Sequence, residues 1–181
     1  MNIVLIGYRG TGKSSVGKIL AERLGRELIS TDAEVVSLAH LSIPDIIKQS
    51  GWDHFRNLES QVCRDLAGKD GLIIDTGGGA ILRQENVDAL KRNGLLFWLT
   101  AEVSTIAKRI GGDNQRPSLT GSKSFTEEVE EVLRERKPKY AAAADHVIET
   151  EGRPLAQAVE AILAKLSEAP ATEAPAAKPP P

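Results

Sequence analysis

Five short apolar runs punctuate the chain: NIVLI (2–6), ELIS (27–30), LIID (72–75), LLFWL (95–99) and HVIE (146–149). Each has the length of a strand. NIVLI is apolar at both parities, the pattern of a strand buried on both faces. Between the runs, apolar residues recur every three or four positions. Val16, Ile19, Leu20 and Leu24 mark one such stripe, as an amphipathic helix requires. The spacing predicts helices over 14–24, 33–39, 44–50, 56–67, 84–92, 102–110, 126–140 and 154–166. In LSIPDIIKQSG, Ser42 suits an N-cap, Pro44 the first turn and Gly51 the stop. Strand alternating with helix predicts an α/β fold with a mostly parallel sheet covered on both faces.

The periodicity fades in two places. GGDNQRPSLTGSKS (111–124) has many turn formers and little apolar pattern, and its length suits a lid. SEAPATEAPAAKPPP (167–181) offers no core residues and reads as a disordered, partly polyproline-II tail. One folded domain over 1–166 is therefore expected, with no internal repeat.

Composition narrows the functional classes. The 181 residues carry 23 Lys+Arg against 25 Asp+Glu, a net charge of −2. That balance argues against a nucleic-acid surface or a polybasic membrane patch. Cys63 is the single cysteine, so no internal disulfide forms, and its helical setting predicts a packed apolar role. His40, His54 and His146 lack metal-ligand spacing. No stretch is long and apolar enough to span a membrane, and the first strand begins at once, leaving no room for a signal peptide. A soluble cytoplasmic protein is the expectation.

The chemistry starts in GYRGTGKSS (7–15), between the first strand and the first helix. Gly7-x-x-x-x-Gly12-Lys13-Ser14 is a phosphate-binding loop pattern. Glycines let backbone N–H groups crowd an anion, with the positive end of a helix dipole behind them. Lys13 is placed to reach β/γ-phosphates and Ser14 to ligate Mg²⁺, which points to a nucleoside triphosphate. An ordinary strand–helix turn is the plainer alternative.

Where the γ-phosphoryl goes depends on four further features. Asp32 in STDAE follows the second strand, at the carboxyl end where doubly wound sheets bind ligands. It could align an acceptor hydroxyl or simply cap the helix beginning at Ala33. DTGGG (75–79) exposes bare N–H groups at the same rim, and Asp75 suits the acid that assists Mg²⁺ in P-loop enzymes. In FRNLE (55–59), Arg56 and Glu59 share a helix face. They form either a surface ion pair or a guanidinium held to grip a carboxylate. Arg116 in NQRPSL and Arg136 in RERKPKY, near a helix end broken by Pro138, are solvated charges or part of an anion site.

Together these motifs resemble the shikimate kinase family. GYRGTGKS, TD, FRNLE, GGG, RP and RKPKY stand in the family's order and at similar spacing, from about Asn2 to Leu166. The resemblance implies a P-loop NTPase fold of the nucleoside-monophosphate-kinase type. Its five-stranded parallel sheet is ordered 2-3-1-4-5 and flanked by helices. It implies a monomer that uses ATP and Mg²⁺ to phosphorylate the 3-hydroxyl of shikimate, on the route to chorismate and aromatic amino acids. ATP phosphates would lie on Gly10, Thr11, Gly12, Lys13, Ser14 and Ser15, with Ser14 on the metal. Asp32 would hold the reacting hydroxyl. Arg56 and Arg136 would hold the shikimate carboxylate, with Glu59 orienting Arg56. Gly77, Gly78 and Gly79 would line the substrate pocket. Arg116 would close with the lid onto the phosphate, excluding water, and Arg109 and Pro154 would sandwich the adenine.

One departure stands out. The family often reads Asp-x-Asp after the second strand, where this chain has Ser30-Thr31-Asp32. Asp75 is expected to supply the missing charge near the metal. Rival readings are a gluconate-type kinase, a nucleoside-monophosphate kinase, and a non-catalytic nucleotide-binding module. The joined FRNLE, GGG and RKPKY set argues against the first, and a pocket built for a carboxylate and hydroxyls argues against the second.

Overall fold

The structure, a computed structural model, describes residues 1–110 and 125–168. Among the described residues there are five strands, β1 (Asn2–Ile6), β2 (Leu28–Ser30), β3 (Ile73–Asp75), β4 (Gly94–Thr100) and β5 (His146–Glu149). They form one sheet in the order β2-β3-β1-β4-β5, with every neighbouring pair parallel. The helices are α1 (Lys13–Leu24), α2 (Thr31–Ala39), α3 (Ile43–Ala67), α4 (Gln84–Lys91), α5 (Val103–Ile110), α6 (Phe125–Ala143) and α7 (Leu155–Glu168). The expected α/β architecture and strand order are both present.

Alternation along the strands divides the interior. Val4 and Ile6 of β1, with Leu96 and Trp98 of β4, face a core shared with Val35, Phe55, Val62, Leu66, Leu90 and Tyr140. Ile3, Leu5, Phe97 and Leu99 face the other side, against Val16, Leu20, Val159 and Ile162 of α1 and α7. A third cluster packs Tyr8 against Ile106, Ile110, Val129 and Val132. β1 lies at the centre of the sheet, so the loop that follows it is walled by neighbours on both sides.

Two helix boundaries differ from the pattern-based expectation: the helix after Gly51 begins ahead of residue 56, and α6 continues past Pro138. Gly51 (φ 80°, ψ 172°) leaves helical geometry inside α3, so the span is two helices that meet at a kink, with the stop expected at Gly51 in place. Gly51 kinks the helix as a left-handed residue can, but helical structure resumes at Trp52 because buried Phe55 pins the next turn to the core. Pro138 does not end its helix. α6 runs through it to Ala143, since a proline removes one intrahelical bond, while buried Tyr140 and Ala143 hold the following turn in place. The predicted lid (111–124) and most of the predicted tail (169–181) lie outside the described residues, and α7 extends to Glu168.

Candidate active site

All five strands point their carboxyl ends at one rim, and the phosphate loop, Asp32, Asp75 and the glycine turn lie there. Gly7 opens the loop after β1. Gly10 (φ 79°) and Gly12 (φ 96°) hold left-handed conformations that a side chain would resist. Gly12 is also the N-cap of α1 and has no side-chain cap, so the helix presents its first N–H groups to the loop. Thr11 fastens the loop from within: its Oγ1 donates to the Tyr8 carbonyl at 2.7 Å. Thr150, at the end of β5, donates to the Thr11 carbonyl at 2.9 Å. Lys13 is buried, and its Nζ donates to the carbonyls of Gly7 (3.0 Å) and Tyr8 (3.1 Å).

Ser14 Oγ donates to Asp75 Oδ2 at 2.5 Å. Burial pushes the Asp75 carboxyl up from the usual range, while Lys13 and the Ser14 hydroxyl pull it down and Asp32 adds to the rise. Ser30 and Asp75 are register partners on neighbouring strands β2 and β3. Ser30 also caps α2: its Oγ accepts from the Ala33 N–H at 3.4 Å. The capping alternative considered for Asp32 therefore belongs to Ser30, and Asp32 is left to face the glycine turn.

That turn, Gly77–Gly79, is where the expected acid and arginines converge. A Cβ on Gly77 would stand 2.6 Å from Asp32 Oδ1 and 3.0 Å from Glu59 Oε1. A Cβ on Gly79 would stand 2.3 Å from both terminal nitrogens of Arg56. The Gly77 N–H donates to Thr31 Oγ1 at 2.8 Å, tying the turn to α2. Arg56 Nη1 donates to buried Glu59 Oε2 at 2.5 Å, and its guanidinium lies over the rings of Phe55 (5.0 Å) and Trp52 (5.5 Å). The Arg56–Glu59 pair is thus a partly buried brace rather than a solvated surface pair. Arg136 Nη1 donates to the Gly78 carbonyl at 3.1 Å. Gly78 in turn abuts the phosphate loop: its Cβ direction points 3.5 Å from the Arg9 nitrogen and the Gly7 carbonyl.

A cavity of about 920 Å³ opens beside this constellation. Its wall includes Gly10, Gly12, Lys13, Ser14 and Ser15, then Asp32, Asp75, Gly78 and Arg109. Arg109 also donates to the Gly10 carbonyl at 2.9 Å. Pro154 is not part of this wall; it precedes α7, whose Leu155 packs 3.6 Å from the Cβ position of Gly12. Arg116 lies outside the described residues. Sequence reasoning missed Arg9 and the α2–α3 contribution of Val36, Ile43 and Pro44, all on the wall. Arg9 had a visible signal, a cation inside the loop motif itself. The α2–α3 residues had none, because their apolar character reads equally well as core.

A glycine-rich anion cradle, a hydroxyl–carboxylate pair beside it, and an acid and two arginines gathered on one glycine turn define a P-loop kinase. Comparison with known proteins narrows this further. The family model of shikimate kinase matches residues 9–167, and the chain belongs to the shikimate kinase family. It is 43% identical over 168 residues to the shikimate kinase of Nitratidesulfovibrio vulgaris, covering 91% of this chain and 95% of that one. It is likewise 43% identical to that of Pelotomaculum thermopropionicum, over 92% of this chain and 96% of the other. The shikimate kinase of Acinetobacter baumannii, solved in complex with shikimate, superposes with a TM-score of 0.88. It shares 32% identity and covers 94% of this chain and 95% of its own. The chain is therefore an ATP-dependent phosphotransferase of this family, whose members use ATP with Mg²⁺.

Proposed function

We propose that the chain transfers the ATP γ-phosphoryl group to the 3-hydroxyl of shikimate, with its site residues in the following roles. The observation that carries the assignment is the convergence of Asp32, Arg56 and Arg136 on one glycine turn that abuts the phosphate loop. An acid beside two guanidinium groups suits a substrate bearing both a carboxylate and an alcohol. Arg56, steadied by Glu59, and Arg136 grip the carboxylate. Asp32 aligns the reacting hydroxyl and accepts its proton. Lys13 exchanges its backbone carbonyl partners for phosphate oxygens, and Arg116 offsets charge on the transferring group. Arg109 and Pro154 flank the base. Phosphoryl transfer asks the protein for positioning and charge stabilisation more than covalent help.

The residues present fit Mg²⁺. Ser14 Oγ and Asp75 Oδ2 stand in contact on the cavity wall, and hydroxyl and carboxylate oxygens are the hard donors this ion takes. Ser14 and Asp75 would hold it, Asp75 directly or through water, and the ion would neutralise charge on the phosphate oxygens. Asp75 thereby stands in for the acid that Ser30 lacks, one strand over at the same register.

The test is calorimetric binding with Arg136→Ala. Shikimate affinity is expected to fall about tenfold or more, the worth of a charge-assisted hydrogen bond, with ATP affinity unchanged. Lost ATP affinity with normal shikimate affinity would contradict the assignment.

A further inference from the structure

Arg136 shares its acceptor with a residue that has no role so far. The Gly78 carbonyl takes the Arg136 Nη1 bond at 3.1 Å and a second, from Tyr140 Oη, at 2.5 Å. A carbonyl oxygen has two lone pairs, so these two donors complete it. Tyr140 follows Arg136 by four residues on α6 and shares its helix face. The tyrosine is far better fixed than the arginine. Only 1% of it is exposed, and its ring stacks on Trp98 of β4 with centroids 5.6 Å apart and planes 15° from parallel. Trp98 is itself a register partner of Ile6 in β1, next to the phosphate loop. Burial holds the Tyr140 hydroxyl well above the ordinary phenol range, which keeps it a donor at any working pH. Arg136 lies over the ring of Tyr8 at 5.9 Å, so one flank of its guanidinium is packed as well.

We infer that Tyr140 is a positioning residue: by anchoring the Gly78 carbonyl from the core, it sets where Arg136 sits relative to Asp32 and Arg56, and so governs recognition of the acid substrate. It acts through the glycine turn and through its own contact with Arg136, and touches no reacting atom. Tyr140 also keeps the turn after Pro138 seated, so that Arg136 stays at the rim. The inference rests on the carboxylate role given to Arg136 above.

Tyr140→Phe tests it, because the stacked ring remains and one hydroxyl is lost. KM for shikimate should rise about fivefold, as for one buried hydrogen bond. KM for ATP should stay within about twofold and the melting temperature should change little. In an Arg136→Ala background, Tyr140→Phe should add almost nothing to the acid KM, because residues acting as a unit are not additive. Amide hydrogen exchange over residues 77–79 should quicken in Tyr140→Phe. An unchanged acid KM, equal rises for both substrates, or full additivity with Arg136→Ala would overturn the inference. If the wild type failed to turn over shikimate, the functional assignment would fall, while the exchange comparison would still decide whether Tyr140 holds the turn.

Discussion

Asp32 owes its position to Ser30. A serine at the end of β2 caps α2 through its own oxygen, and the acid two residues on is left facing Gly77. The same serine leaves a site without a carboxylate at the end of β2, and Asp75 stands at the matching position of β3. Where the family often has an acid on β2, this chain has a capping serine, and a carboxylate stands beside it on β3. Asp75→Asn should accordingly raise the Mg²⁺ concentration needed for half-maximal rate, by about tenfold for loss of one ligand charge. Titration of the rate against Mg²⁺ at saturating ATP measures this. An unaltered Mg²⁺ requirement would remove Asp75 from the metal site.

The glycine turn shows why backbone economy matters to the site. Gly79 has φ −108° and ψ 0°, a conformation alanine can adopt, so its need for glycine is one of space. The methyl of Gly79→Ala would meet both Arg56 nitrogens at 2.3 Å. Since a guanidinium on a flexible stem can swing aside, the variant should fold. Arg56 would leave Glu59, and KM for the acid substrate should rise about tenfold with KM for ATP little changed. Steady-state kinetics in both substrates reads this, and equal kinetics to wild type would contradict it. Such elements were largely legible in the sequence. The strands were apolar runs, the phosphate loop a spaced motif, and the acid and arginines stood at recognisable offsets. What could not be read was tertiary override. Gly51 does break helical geometry as its signal implies, but Pro138 signals a helix end while Tyr140 buries the turn beyond it and carries α6 onward. Thr150, which secures the phosphate loop from β5, lies 139 residues from its partner Thr11 and has no local signature.

Among the described residues, the sheet separates two cores and gathers the phosphate loop and the glycine turn at the carboxyl ends of its strands. Cys63 belongs to the core on the α3 side, within reach of the site's charges. Burial, helped by the nearby Glu59 carboxylate and opposed by Arg64, pushes its thiol from the usual 9.0 up to about 12. The folded state therefore holds this proton more tightly than the unfolded chain. The resulting stability is fully present below pH 9.0 and is lost as pH rises toward about 12. Urea denaturation should show a fall in stability above pH 9.0 that is reduced in Cys63→Ala. Iodoacetamide should leave the folded thiol unlabelled at pH 8 and label it in denaturant. Rapid labelling of the native protein would contradict the burial that holds this core together. The site itself is tested most directly by coupled ADP release with shikimate, gluconate, quinate and nucleoside monophosphates as acceptors, on the wild type and Asp32→Asn. The account predicts release with shikimate alone among them, lowered about 10²-fold or more in the variant. Equal release with gluconate or a nucleoside monophosphate, or near-normal turnover by Asp32→Asn, would contradict it.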